Sequence, residues 1–92
     1  MIVTLSRFTY AGNLHVLYRA EEAGDVLPPG LHEHDFEHLC IPLGGEIEAF
    51  FDDREPIVAR LGDQPFEFPP RRKHGIRAKM AGAVFMNVSR VP

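Results

Sequence analysis

Residues 30–40, GLHEHDFEHLC, decide the fold prediction, because they hold three of the chain's five histidines. If this segment is extended, successive side chains alternate between two faces. The face with the imidazoles carries His32, His34, Phe36, His38 and Cys40. The opposite face carries Glu33, Asp35, Glu37 and Leu39. This sorting is typical of a barrel strand that presents ligands to the interior and carboxylates to water.

Eight glycines and eight prolines divide the chain into short segments, which favours strands over helices. We predict strands at residues 2–8, 14–20, 37–43, 46–51, 57–61, 65–68, 74–78 and 83–91. The pair Gly44 and Gly45 predicts a tight hairpin, and residues 52–54 and 62–63 predict two further turns. Many short strands with frequent turns predict an all-β fold. We predict a jelly-roll barrel, because closing the sheet leaves few exposed edges.

Composition predicts one folded domain over residues 1–92, since 45% of the residues are apolar and 25% are charged. The net charge of -3 gives no basic footprint for nucleic acid. No apolar run approaches the ~20 residues of a membrane span, and the N-terminus does not resemble a secretory signal. The single Cys40 excludes an intrachain disulfide. We therefore expect a cytoplasmic protein without nucleic-acid or membrane partners.

Small size predicts self-association. A chain of this length buries only about two thirds of the surface that its unfolded form exposes, so a homodimer would supplement the core. Residues 11–13 could separate an N-terminal strand from the main barrel. That strand could equally pair with a second subunit.

A fourth histidine, His74, follows a turn that begins with Pro69 and Pro70. With it the sequence resembles the cupin superfamily, in particular its small single-domain members with one conserved barrel. The first cupin motif has a glycine, His-x-His, a carboxylate and another glycine, and the second has a proline turn and a histidine. Residues 30–78 follow both motifs. Three departures are His38 in place of the usual glutamate, Arg71 in place of glycine, and Ala78 in place of asparagine.

The resemblance implies a double-stranded β-helix with one divalent metal ion held by His32, His34, His38 and His74. Four imidazoles favour zinc, iron, nickel or copper over manganese, which prefers oxygen ligands. Glu37 is an alternative to His38 if a bulge shifts the strand by one residue. A second alternative is a helix that presents His34 and His38 to a metal, as in zinc proteases. This alternative is less favoured, because Asp35 stands where zinc proteases need a glutamate.

Two functions stay open at this stage. One is a metal-dependent enzyme of the dioxygenase or isomerase type that acts on a small organic molecule, although no catalytic acid or base is identifiable. The other is a non-catalytic module that binds or senses a small ligand and has a structural metal. In either case Phe36, Phe66 and Phe68 are predicted to line the ligand pocket, and residues 71–73 could attract an anion.

Overall fold

The computed structural model describes residues 1–32 and 37–91, and of residues 28–32 it describes the backbone. The described strands are β1 (Ile2–Tyr10), β2 (Asn13–Ala20), β3 (Val26–His32), β4 (His38–Gly44), β5 (Glu46–Phe51), β6 (Ile57–Arg60), β7 (Phe66–Phe68), β8 (His74–Ala78) and β9 (Val84–Arg90). Within this part of the chain, no helix is long and apolar enough to cross a membrane.

The strands form two antiparallel sheets. One has five strands in the order β1-β2-β9-β4-β7, and the other has four in the order β3-β8-β5-β6. Residues from both sheets form one buried cluster, which consists of Ala20, Cys40, Ile47, Ala49, Ala59, Phe66, Phe68, Ile76, Ala78, Ala83 and Phe85. The prediction of an all-β fold is confirmed.

All eight predicted strands are present, and their ends differ from the prediction by at most two residues. Strand β3 is not predicted by the sequence, because Pro28, Pro29 and Gly30 lie inside it and are typical of a loop. Proline cannot donate a ladder hydrogen bond, so within sheets it is found on edge strands. Strand β3 is an edge strand, and its register with β8 shifts between Leu27 and His32, across the prolines.

The predicted hairpin at Gly44 and Gly45 is wrong. Strands β4 and β5 belong to different sheets, so the chain crosses from one sheet to the other at this point. Gly45 has a φ of 65°, and a Cβ there would lie 3.1 Å from Cα of Ala83. The glycine pair correctly signals a sharp corner, but a corner alone does not determine which strands pair.

The other two predicted turns lie between strands. Residues 52–56 connect β5 to its antiparallel neighbour β6, and Asp63 donates its backbone N–H to the carbonyl of Arg60 at 3.0 Å. Ala11 and Gly12, with φ of 51° and 76°, form the two-residue hairpin between β1 and β2. The N-terminal strand is therefore hydrogen-bonded into the five-stranded sheet rather than separated from it.

Candidate functional site

Two of the four predicted metal ligands lie side by side between the sheets. His38 belongs to β4 in the five-stranded sheet, and His74 belongs to β8 in the facing sheet. Their ring centres are 4.9 Å apart, and the ring planes are inclined by 55°. His38 is 7% exposed and His74 is fully buried. The fold thus brings together two imidazoles that are 36 residues apart in the sequence.

The backbone register places a third predicted ligand next to this pair. In the β3–β8 ladder, His32 is the partner of His74. On the other side of β8, Phe51 is the partner of His74. His34 and Phe36 lie outside the described residues, as does the side chain of His32. The roles of His32, His34 and Phe36 therefore stay predictions.

One hydrogen bond determines the protonation of the His74 ring. Its Nδ1 lies 2.8 Å from the backbone carbonyl oxygen of Arg72. A carbonyl oxygen can only accept, so Nδ1 carries the proton and, in the neutral ring, Nε2 has the lone pair. That Nε2 atom is sealed from solvent, as is Nδ1 of His38. A histidine whose second ring nitrogen donates to a carbonyl is the usual form of a metal ligand.

The His38–His74 pair fits a shared metal ion. Imidazole nitrogens bind zinc at about 2.0–2.1 Å, which puts the ring centre about 3.2 Å from the ion. Two such rings at 90° to 109° around the ion have centres about 4.5 to 5.2 Å apart. The observed 4.9 Å lies within this range. The described residues contain no group of three or more candidate ligand side chains.

One aromatic side chain of the core packs against both imidazoles of the pair. The ring of Phe68 stacks on His74 with centres 4.3 Å apart and lies 4.7 Å from His38. Phe68 is fully buried, and Phe66 and Phe51 lie 6.3 and 5.8 Å from it. Phe66 and Phe51 also line a cavity of about 450 Å³ between β6 and β7. Phe68 therefore packs against both imidazoles, and the predicted role of Phe66 and Phe68 in ligand binding stays a prediction.

The predicted alternation of side chains holds where β4 is described. His38 and Cys40 are buried, whereas Glu37 and Leu39 are exposed. The exposure of Glu37 favours His38 over Glu37 as a ligand facing the interior. Burial raises the pKa of the Cys40 thiol above its usual range. Cys40 therefore stays a neutral thiol, as expected for an inert core cysteine.

Asn87 on β9 is a polar residue of this region that the sequence motifs do not include. Asn87 pairs with Cys40 on one side and with Val16 on the other, and Phe85, two residues earlier on the same face, is fully buried. Within the described part of the chain, its Oδ1 is sealed from solvent and accepts no hydrogen bond. Ser89, the next residue on this face, pairs with His38. Alternation along β9 predicts that Asn87 faces inward, but it does not predict an unsatisfied acceptor.

No family model matches the chain, and no curated protein matches it significantly. Solved structures do. A cupin superfamily protein from Desulfitobacterium hafniense superposes with a TM-score of 0.80 at 17% identity, over 100% of this chain and 79% of that one. The chain has the cupin fold. This confirms the double-stranded β-helix predicted from the histidine motifs.

Two other solved structures also superpose on the chain. A protein with a double-stranded beta-helix domain from Klebsiella pneumoniae gives a TM-score of 0.72 at 16% identity, covering 98% of this chain and 75% of its own. KdgF from Halomonas gives 0.75 at 18% identity, covering 99% and 80%. At these identities the cupin likeness extends to the fold, and the function depends on this chain's own residues.

Proposed function

We propose that the chain binds one divalent transition metal ion, either zinc, iron, nickel or copper, and takes a small organic molecule into its barrel. The ligands of the ion would be His32, His34, His38 and His74. The observation that supports the proposal most strongly is the buried His38–His74 pair, in which His74 holds its Nε2 lone pair inside the barrel. Neutral imidazoles are the ligands that these four metals accept readily.

In the catalytic form of this proposal, the chain is a metal-dependent enzyme of the dioxygenase or isomerase type. When bound, the metal would act as a Lewis acid or activate oxygen. Phe68 would exclude water from one side of both imidazoles, since it is fully buried against them. The carbonyl of Arg72 would keep the proton on Nδ1 of His74 and hold the orientation of the ring.

A second candidate is a non-catalytic module that binds or senses a small ligand, with a structural metal. Two neighbours of the His38–His74 pair favour it, because one is apolar and the other is inert. Phe68 is in contact with both rings, and Cys40, two residues along β4 from His38, keeps its proton. Neither Phe68 nor the protonated Cys40 can act as a general base.

The expected partners belong to the same proposal. We propose a homodimer that uses β1, because β1 is an edge strand on which Leu5, Phe8 and Tyr10 are 49%, 44% and 72% exposed. An edge strand presents unpaired backbone groups that a second copy of β1 can satisfy. A cytoplasmic location and the absence of nucleic-acid and membrane partners stay predictions from composition.

The proposal is tested by the stability of chelator-treated protein with and without added Zn²⁺, Ni²⁺ or Fe²⁺. A metal at 100 times its dissociation constant stabilises the folded state by about 2.7 kcal/mol. We expect this increment in the wild type and in His15→Ala, and its loss in His38→Ala. His15 is a matched control, because its Nδ1 lies 3.3 Å from the carbonyl of Asn13 and its ring stacks on Phe8.

The comparison uses the metal-dependent increment of each variant, so a change in the stability of the metal-free variant does not affect it. An equal increment in His38→Ala and the wild type would contradict the site. A ligand that binds equally well to metal-free protein would favour the binding module over the enzyme. Turnover that depends on the metal would favour the enzyme.

A further inference from the structure

A polar cavity of about 440 Å³ is lined in part by the loop that leads into His74. Its walls are Asp52 and Asp53, which follow β5, and residues 69–73, which precede β8. Phe51 and His74 are partners in the β5–β8 ladder, so both loops leave the barrel at the same end. The carbonyl of Arg72 accepts the hydrogen bond from His74. One loop therefore both lines the cavity and holds a predicted metal ligand.

Arg71 in this loop has an unfavourable backbone conformation. Its φ is 61°, in the left-handed region that glycine adopts without steric cost. In the described chain, Ala11 is the other non-glycine residue with a positive φ, and it lies in a two-residue hairpin that requires this geometry. A glycine at 71 would give the same turn without strain. Strain of this kind persists mostly where a side chain serves a function.

The side chain that glycine lacks is a guanidinium. Together with Arg72 and Lys73 it gives the cavity three cationic groups, against the two carboxylates of Asp52 and Asp53. Arg72 and Asp53 form an ion pair with a nitrogen–oxygen distance of 3.6 Å. The described lining residues therefore carry a formal net charge of +1, in a chain whose net charge is -3. Guanidinium groups match the planar geometry of carboxylate and phosphate oxygens.

We propose that this cavity binds the carboxylate or phosphate group of the small molecule that the barrel takes. The inference rests on the proposed function for the identity of that molecule, and it deepens the proposal by assigning an anionic ligand class. Arg71 is the residue that determines specificity. Its guanidinium would bind the anion, a contact that glycine at this position could not make.

The test is a titration of ¹⁵N-labelled protein at low ionic strength, with inorganic phosphate in one arm and benzoate in the other. We expect shifts of the backbone amides of residues 71–73, and about tenfold weaker binding in Arg71→Asn. Asparagine tolerates the left-handed conformation, so this variant keeps the turn but loses the charge. Arg71→Lys keeps the charge and should retain more of the affinity than Arg71→Asn.

Arg60→Gln is the control. Arg60 is an exposed arginine on β6 that pairs with Glu46 at 2.8 Å, and its loss should leave the affinity unchanged. Saturation by phosphate alone assigns a phosphoryl ligand, and saturation by benzoate alone assigns a carboxylate. No shifts with either anion at about 10 mM, well above a millimolar dissociation constant, would overturn the inference. Equal affinity in Arg71→Asn and the wild type would also overturn it.

Each titration is made on metal-free and on metal-loaded protein, which separates the two proposals. Anion binding in a protein that takes up no metal would leave the cavity assigned and contradict the metal site. Normal metal binding without any anion-dependent shift would contradict the cavity alone.

Discussion

Replacing Asn87 with leucine should stabilise the protein, although it puts an apolar side chain in place of a polar one. Oδ1 of Asn87 is buried and accepts no hydrogen bond in the described part of the chain. Such an acceptor loses its hydration without compensation, at a cost of about 1–3 kcal/mol. Leucine has the same number of side-chain heavy atoms with the same branching at Cγ, and the two ladder partners of residue 87, Cys40 and Val16, are both buried. We expect Asn87→Leu to raise the free energy of unfolding by about 1 kcal/mol.

Urea and thermal unfolding of metal-free protein measure this effect. For a domain of this size, 1 kcal/mol corresponds to about 4–8 °C in Tm. Asn13→Leu is the control, because the amide of Asn13 is exposed and donates to the carbonyl of Ala11 at 3.3 Å. It should gain nothing. A loss of stability in Asn87→Leu would refute the reasoning, since it would mean that the Asn87 amide is satisfied in the folded protein.

Three further predictions concern β4, the strained turn and β1. Burial raises the pKa of Cys40, so the folded state keeps a proton that the unfolded chain releases above about pH 8.5. The free energy of unfolding should therefore fall by about 1.4 kcal/mol per pH unit from there towards pH 10. Urea titrations of Cys40→Ala at several pH values should lack this slope. The free energy of unfolding of Arg71→Gly should exceed that of Arg71→Ala by about 1 kcal/mol, because only glycine adopts the positive φ without strain. Equal urea midpoints of the two variants would contradict the strain. The wild type should sediment as a dimer and Leu5→Glu, on the exposed edge strand, as a monomer; a monomeric wild type would rule out the β1 interface.

The fold could be predicted from the sequence largely because glycine, proline and alternating side chains mark strands locally. Eight strands were predicted this way, and the buried His38 and Cys40 confirm the parity argument in β4. The pairing of strands was harder. Gly45 signals a corner, but whether the next strand pairs with β4 or crosses to the other sheet depends on the packing of β5 between β6 and β8.

The candidate site shows the same division. The motifs predict that His38 and His74 lie close together, and their ring centres are 4.9 Å apart in the structure. The resemblance also marks Arg71 as a departure from the glycine of the second motif, and its φ of 61° lies in the left-handed region that favours glycine. Asn87 could not be found in this way, because a hydrogen-bond vacancy depends on every neighbour in three dimensions and not on the residue type.

The measurement that tests the central claim most directly is the metal content per chain, by elemental analysis, of wild-type protein, His74→Ala and His15→Ala. The His38–His74 pair predicts about one zinc, iron, nickel or copper ion per chain in the wild type and in His15→Ala, and a large loss in His74→Ala. Equal metal content in all three proteins would contradict the claim that this pair holds the ion.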